Sequence, residues 1–206
     1  HDRNDTNAAI GGLGNDYPLR IATLHTIAEF YNGSLDSIRL WNRSLSASEV
    51  QNEVNSSRPH TTTDLIASWE FEEGSGSTAY DTNPRVAGQV DDIALRFDGS
   101  ADYVNMGSSD SLNITTTEMT ICGWFYAKDS GQVKQYAVGN GRNQEAHGGY
   151  ELFFRTDVNT LNLQWDNGTN WDIQPINYTA YFDRWTHNCG AFDGTAGESY
   201  IYLDGV

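Results

Sequence analysis

The side chains of this 206-residue sequence with the clearest chemical capacity are aromatic and amide groups in its C-terminal third, where Trp165, Trp171, Tyr178 and Tyr181 are interspersed with Asn167, Asn170 and Asp172. Flat aromatic faces stack on sugar rings, and amide or carboxylate oxygens hydrogen-bond to hydroxyls, so the set has the makings of a carbohydrate surface. The same residues also read as core aromatics joined by polar turns, and both readings stand at this point. Catalysis finds no comparable anchor. Ser, His and Asp are present without the nucleophile-elbow context that activates a serine. Glu72 and Glu73 are neighbours, so on extended chain their carboxylates point to opposite faces. His147 and His187 read as a loop residue and a strand residue. No enzymatic activity is expected.

Charge narrows the partners. The formal net charge is −16, and Lys128 and Lys134 are the only lysines among the 12 basic residues. A nucleic-acid binder needs basic charge to neutralise phosphates, so nucleic acid is excluded as an expected partner. A surplus of carboxylates attracts divalent cations, although it also serves simply to keep a surface hydrated. Seven Asn-x-Ser/Thr sequons are headed by Asn4, Asn32, Asn42, Asn55, Asn113, Asn167 and Asn177. About three would arise by chance, and the excess points to a secreted or surface-displayed glycoprotein with N-linked glycans. No run approaches the ~18 apolar residues of a membrane span, and nothing resembles a signal peptide. His1 is therefore expected to lie inside a longer or processed chain.

The elements that must hold these groups are strands. Residues 34–41 alternate with Leu35 on the apolar side and, after a one-residue shift, Ile38 and Leu40. A turn and a short helix follow. Ser46 and Glu49 form a capping box, and Val50 and Val54 give the helix an apolar face. Residues 1–20 carry turn chemistry, with a strand over 19–22. The polar stretch 57–63, containing Pro59, reads as a linker, and a fresh segment opens at Asp64. Further short strands separated by Gly-rich turns run from Leu65 to Leu203. The expectation is an all-β fold, two packed antiparallel sheets with one short helix. A strand, a corner and a short helix normally finish a domain, yet here they stand near the beginning.

The blocks Trp69-Glu-Phe-Glu-Glu-Gly-Ser-Gly-Ser-Thr-Ala-Tyr-Asp81, Leu95-Arg-Phe-Asp-Gly-Ser-Ala-Asp-Tyr-Val104, Thr120-Ile-Cys-Gly-Trp124 and Trp185-Thr-His-Asn-Cys-Gly-Ala-Phe-Asp-Gly194 resemble successive parts of a laminin-G-like, concanavalin A-like jelly roll. Asn32-Gly-Ser-Leu-Asp-Ser-Ile-Arg-Leu-Trp-Asn-Arg-Ser-Leu-Ser46 resembles that family's last strand and helix. The order is permuted. Segment 64–206 resembles the N-terminal and central part of the jelly roll, and 1–56 the C-terminal part that would complete it, in the same or a neighbouring unit. A tandem array cut in mid-domain, strand exchange and circular permutation all fit.

The resemblance implies several sites. Cys122 and Cys189 sit in strands similar to those bridged in the pentraxin branch, which implies a disulfide worth roughly 4 kcal/mol in the chain-entropy model and an oxidising compartment; two buried thiols are the other reading. Related jelly rolls hold a structural calcium between first and last strands, which implicates Asp36 and Glu72. Asp98 and Asp102 are further candidates, in a loop that ordinary Asx turns would also brace. The pentraxin double-calcium site does not carry over, because 22–29 lacks its acidic and amide cluster. Nor is the Glu-x-Asp-x-x-Glu spacing of related glucanases present. The expected protein is a non-enzymatic extracellular structural glycoprotein, a unit of a surface fibre, filament or array whose partners are neighbouring copies of itself. The alternative is a carbohydrate-binding, lectin-like module of cell adhesion.

Overall fold

The computed structural model describes residues 2–4, 13, 15, 17–24, 29–73, 79–81, 93–112, 114, 116–141, 149–166 and 171–206. In chain order these give β1 (Asp2–Asn4), β2 (Leu19–Ile21), β3 (Asn32–Trp41), helix α1 (Ala47–Val54), β4 (Leu65–Trp69), β5 (Leu95–Asp98), β6 (Val104–Gly107), β7 (Glu118–Ala127), β8 (Gln135–Gly139), β9 (Tyr150–Arg155), β10 (Thr160–Asp166), β11 (Trp171–Asn177), β12 (Trp185–Asp193) and β13 (Glu198–Leu203).

Every strand pairing is antiparallel, and the strands form two sheets. One is seven-stranded, ordered β1-β13-β12-β7-β3-β4 with β5 also paired to β3; the other is six-stranded, ordered β11-β10-β9-β8-β2-β6. This is the all-β sandwich that the short alternating runs predict. Its core is made by alternate residues of the facing strands, among them Leu40, Phe125, Phe154, Leu163 and Phe192, all 1 % exposed or less. Strands from 1–56 stand inside both sheets of this same chain: β2 lies between β8 and β6, and β3 between β7 and β4.

β3 carries the shift read from its sequence. Leu35 faces the core, the register to β7 slips between Asp36 and Arg39, and Ile38 and Leu40 then face the core again. Ser37 absorbs the extra residue at φ 51°, and its N–H donates to Asp36 Oδ1 at 2.7 Å. Gly123 on β7 makes room for the displaced Ile38: a Cβ there would stand 2.4 Å from Ile38 Cδ1. The consequence is that Asp36, Arg39 and Trp41 all face outward.

The outward face of the seven-stranded sheet is covered by α1. Its capping box forms as expected, with Ser46 N donating to Glu49 Oε2 at 2.9 Å and Glu49 N to Ser46 Oγ at 3.4 Å. Arg43 also holds Glu49, and that hydrogen bond lowers the Glu49 carboxyl to about 2. Val50 joins Trp41, Leu65, Tyr202 and the two cysteines in one buried apolar cluster. Cys122 and Cys189 are directly opposed on β7 and β12, with Cα atoms 4.1 Å apart, and are joined in a disulfide.

Beside this apolar patch lies a buried polar hub. Arg39, 2 % exposed, donates Nε and Nη2 to the two carboxylate oxygens of Glu70 (3.1 and 3.0 Å), Nη1 to Glu53 Oε2 (2.8 Å) and Nη2 to Ser56 O (3.2 Å). Glu53, fully buried, accepts the His60 and Thr61 amides on its other oxygen. Residues 57–63, expected as a linker, are therefore strapped to the body of the domain. Trp41 Nε1 donating to Thr61 O at 3.0 Å completes the strap.

Candidate functional site

Where α1 ends, the outward face opens into a cleft of about 540 Å³. The β3 bulge aims Asp36 into it, beside Trp124 of β7, its neighbour in the sheet register. Trp185, the first residue of β12, closes one side and is 42 % exposed. Val54 to Ser57 form the wall on the helix side, and Glu72 enters from the turn that follows β4. The tryptophans are braced from behind: Trp124 meets the His187 ring edge-on at 5.3 Å, and Trp185 meets Tyr126 at 6.0 Å. Two indoles and two carboxylates thus share one concavity, and its described lining contains no basic side chain.

The electrostatics follow from that imbalance. Burial pushes the Asp36 carboxyl up to about 6; Glu70 and Glu72 push the same way, while the Ser37 amide and Arg39 oppose them. Burial also works to raise Glu70, but the Arg39 guanidinium outweighs it and holds that carboxyl below its ordinary value. The described lining thus carries two acidic side chains and no basic one, and the nearby Arg39 guanidinium is committed to Glu70 and Glu53. The oxygen donors around Asp36 and Glu72 include Ser37, Asn55 and Ser57, a hard-oxygen set of the kind that suits calcium.

Of the four carboxylates implicated as metal ligands, Asp36 and Glu72 are brought together here. Asp98 and Asp102 are not: Asp98 Oδ1 accepts the Ser100 amide at 2.7 Å and Asp102 Oδ2 the Asp98 amide at 3.3 Å, the self-braced Asx geometry.

Of the four aromatic residues read either as a sugar surface or as core, the three whose side chains are described do not form a surface. Trp165 shares the inward parity of Leu161 and Leu163, is 2 % exposed and stacks on Phe192 at 4.8 Å. Tyr178 is fully buried, its hydroxyl accepting from Asn188 Nδ2 at 3.0 Å. Tyr181 is half-buried beneath the Arg184 guanidinium, 4.6 Å from its ring. Trp171 begins β11, its side chain lying outside the described residues with Asn167 and Asn170.

The sequons differ in the same way. Asn55 and Asn177 are exposed, Asn55 at the C-cap of α1 on the cleft wall and Asn177 at the end of β11. Asn32 and Asn42 are half-buried, Asn32 against Gly99 and Asn42 with its backbone carbonyl accepting from Thr116. Asn4 lies on β1, and Asn113 falls outside the described residues, as does His147.

Trp124 and Trp185 were missed because both read as ordinary strand aromatics. The available signal was parity, since Cys122 and Trp124, like Trp185 and Cys189, must share a face. Glu151 was missed too. It is 3 % exposed on the outer face of the six-stranded sheet, over Gly139, and burial pushes its carboxyl up to about 8 against the pull of Lys134, with Glu29 adding to the rise.

Among the described residues no helix is long and apolar enough to cross a membrane. A family model of laminin-G-like domains, described as the concanavalin A-like lectin/glucanases superfamily, matches residues 98–206. No curated protein and no solved structure matches the chain. The match covers just over half of the chain, and it joins the two antiparallel sheets and the bridged β7–β12 pair in one conclusion: the chain belongs to the concanavalin A-like lectin/glucanase superfamily, as a laminin-G-like domain.

Proposed function

We propose that this chain is an extracellular, glycosylated, non-enzymatic binding module that engages carbohydrate in the cleft between the end of α1 and Trp124 and Trp185. The observation that carries this reading is the meeting of two indoles and two carboxylates in one concavity. Indole faces take the apolar C–H side of a sugar ring, and carboxylate oxygens accept from its hydroxyls. Asp36 and Glu72 are the residues that would hold a calcium ion, with Asn55 and serine oxygens beside them; such an ion would neutralise the cleft and offer coordination positions to sugar hydroxyls. Burial, with Glu70 and Glu72 adding to it, raises the Asp36 carboxyl against the Ser37 amide and Arg39, and a cation there would favour its charged form.

Titration calorimetry of the whole chain against a glycan panel, at fixed calcium and again with chelator, tests the reading. A ligand whose affinity falls at least tenfold in Trp124→Ala and Trp185→Ala, and falls with chelator, is the expected result. Unchanged affinity in both variants would place binding elsewhere.

A structural role in a surface fibre or array is the second reading. It is favoured by β1, which ends the seven-stranded sheet with one side unpaired among the described residues and open to a strand from a neighbouring copy. Concentration-dependent filaments with a domain-sized repeat in electron micrographs would support it, and a monomer at all concentrations would refute it.

A further inference from the structure

Under α1 the disulfide has a third companion. His187 stands two residues before Cys189 on the same face of β12, is 2 % exposed, and its Nδ1 lies 3.8 Å from the Cys189 sulfur. The two sulfurs and a ring nitrogen of His187 all lie within 4.8 Å of one another. Trp41, Val50, Ala191 and Tyr202 wall the cysteines with apolar surface, and Trp124 backs the imidazole.

We propose that, when the disulfide is reduced, Cys122, Cys189 and His187 form a site for one soft divalent cation of the zinc class. Two thiolates and an imidazole are the donors such an ion prefers. Around a tetrahedral ion with bonds of ~2.3 Å to sulfur and ~2.0 Å to nitrogen, a sulfur and a nitrogen stand roughly 3.5 Å apart, a few tenths of an ångström closer than the 3.8 Å between Cys189 and His187. Once the S–S bond is broken, rotation about the Cα–Cβ bonds parts the two sulfurs, while strand pairing keeps both on the outer face of adjacent strands.

The chemistry balances. A dithiol delivers two electrons and two protons to the disulfide, giving two thiols and leaving the reductant as its own disulfide. The cation then displaces both thiol protons to solvent, and the imidazole contributes a lone pair with no proton change. A doubly charged ion with two thiolates is neutral overall, which lets it sit in apolar surroundings that a bare ion could not enter. Disulfide and metal exclude each other, so the ion belongs to the state before oxidation or after exposure to a dithiol.

The test uses the full chain, reduced with excess dithiol, desalted under argon and titrated with Co2+. Expected are thiolate-to-cobalt charge-transfer and tetrahedral ligand-field bands saturating at one ion per chain, two protons released per ion, and displacement by Zn2+. The oxidised chain serves as the parallel control and should show no bands. His187→Ala should keep both thiols and bind at least tenfold more weakly. The cadmium-113 chemical shift of the reduced wild-type chain loaded with Cd2+ reads the donor set without any variant, and a two-sulfur, one-nitrogen value is expected. Absent bands in the reduced chain, or a donor set without nitrogen, would overturn the proposal.

Discussion

Replacing Arg39 by methionine tests the buried hub directly. The guanidinium serves two carboxylates whose side chains are 0 % and 3 % exposed, so its removal strands Glu53 and Glu70 away from water. Breaking a buried ion pair from one side costs about 3–5 kcal/mol, because the orphaned charge keeps its desolvation penalty. The lower end applies here. Glu53 retains the His60 and Thr61 amides, and Glu70 retains the Ser68 hydroxyl. A loss of about 3 kcal/mol is a large share of the ~5–15 kcal/mol typical of a domain, and lowers Tm by about 6–12 °C at this size. The assay is urea unfolding of the disulfide-intact chain, followed by tryptophan fluorescence and far-UV circular dichroism. The triple variant Arg39→Met/Glu53→Gln/Glu70→Gln removes the stranded charges and should regain stability to within about 1 kcal/mol of wild type. If Arg39→Met alone costs less than about 1 kcal/mol, the hub is solvated and the reasoning fails.

Asp36 gives a pH dependence of definite sign. Its folded pKa, about 6, lies above its ordinary value, so the folded chain binds the extra proton and stability falls as pH rises from about 4 to about 6. Asp36→Asn removes that loss; discounted for solvent screening it should be more stable than wild type by about 1 kcal/mol at pH 7.5 and indistinguishable at pH 4, read from thermal melts. Calcium should raise the Tm of the wild type at pH 7.5 and leave Asp36→Asn unchanged; an equal rise in both would remove Asp36 from the metal site. Glycopeptide mass spectrometry of the secreted chain should find a glycan on the exposed Asn177 and none on Asn32 and Asn42; occupied Asn32 would contradict its packing against Gly99.

How far the sequence could be read depended on whether the informative pattern was local. The shift in β3 was visible because Leu35, Ile38 and Leu40 cannot share one face of an uninterrupted strand, and the helix cap because Ser46 and Glu49 complete each other three residues apart. For Trp165 and Tyr178 composition left sugar surface and core equally open, whereas strand parity assigns Trp165 to the core with Leu161 and Leu163. Glu53 gave no warning: an acidic residue on a short surface helix normally meets water, and its burial depends on Arg39 reaching it from β3 and on the His60 and Thr61 amides. Asp36 and Glu72 were named through resemblance, but their meeting with Trp124 and Trp185 depends on contacts between segments distant in sequence.

The single extra residue at the β3 bulge also constrains how this strand can vary in length. The pleat repeats every two residues, so deleting Ser37 would restore an unbroken strand with both sides kept, whereas one further residue inserted there would exchange the two sides of everything downstream. Ile38 and Leu40 would turn to the solvent side while Arg39 and Trp41 were driven between the sheets. A change of two residues would preserve the sides but slide the strand past β4 and β7 and separate Ile38 from the space left by Gly123. The carboxylate in the cleft and the packing of the sandwich thus share one frame, which an added residue would break and which the loss of Ser37 alone would keep.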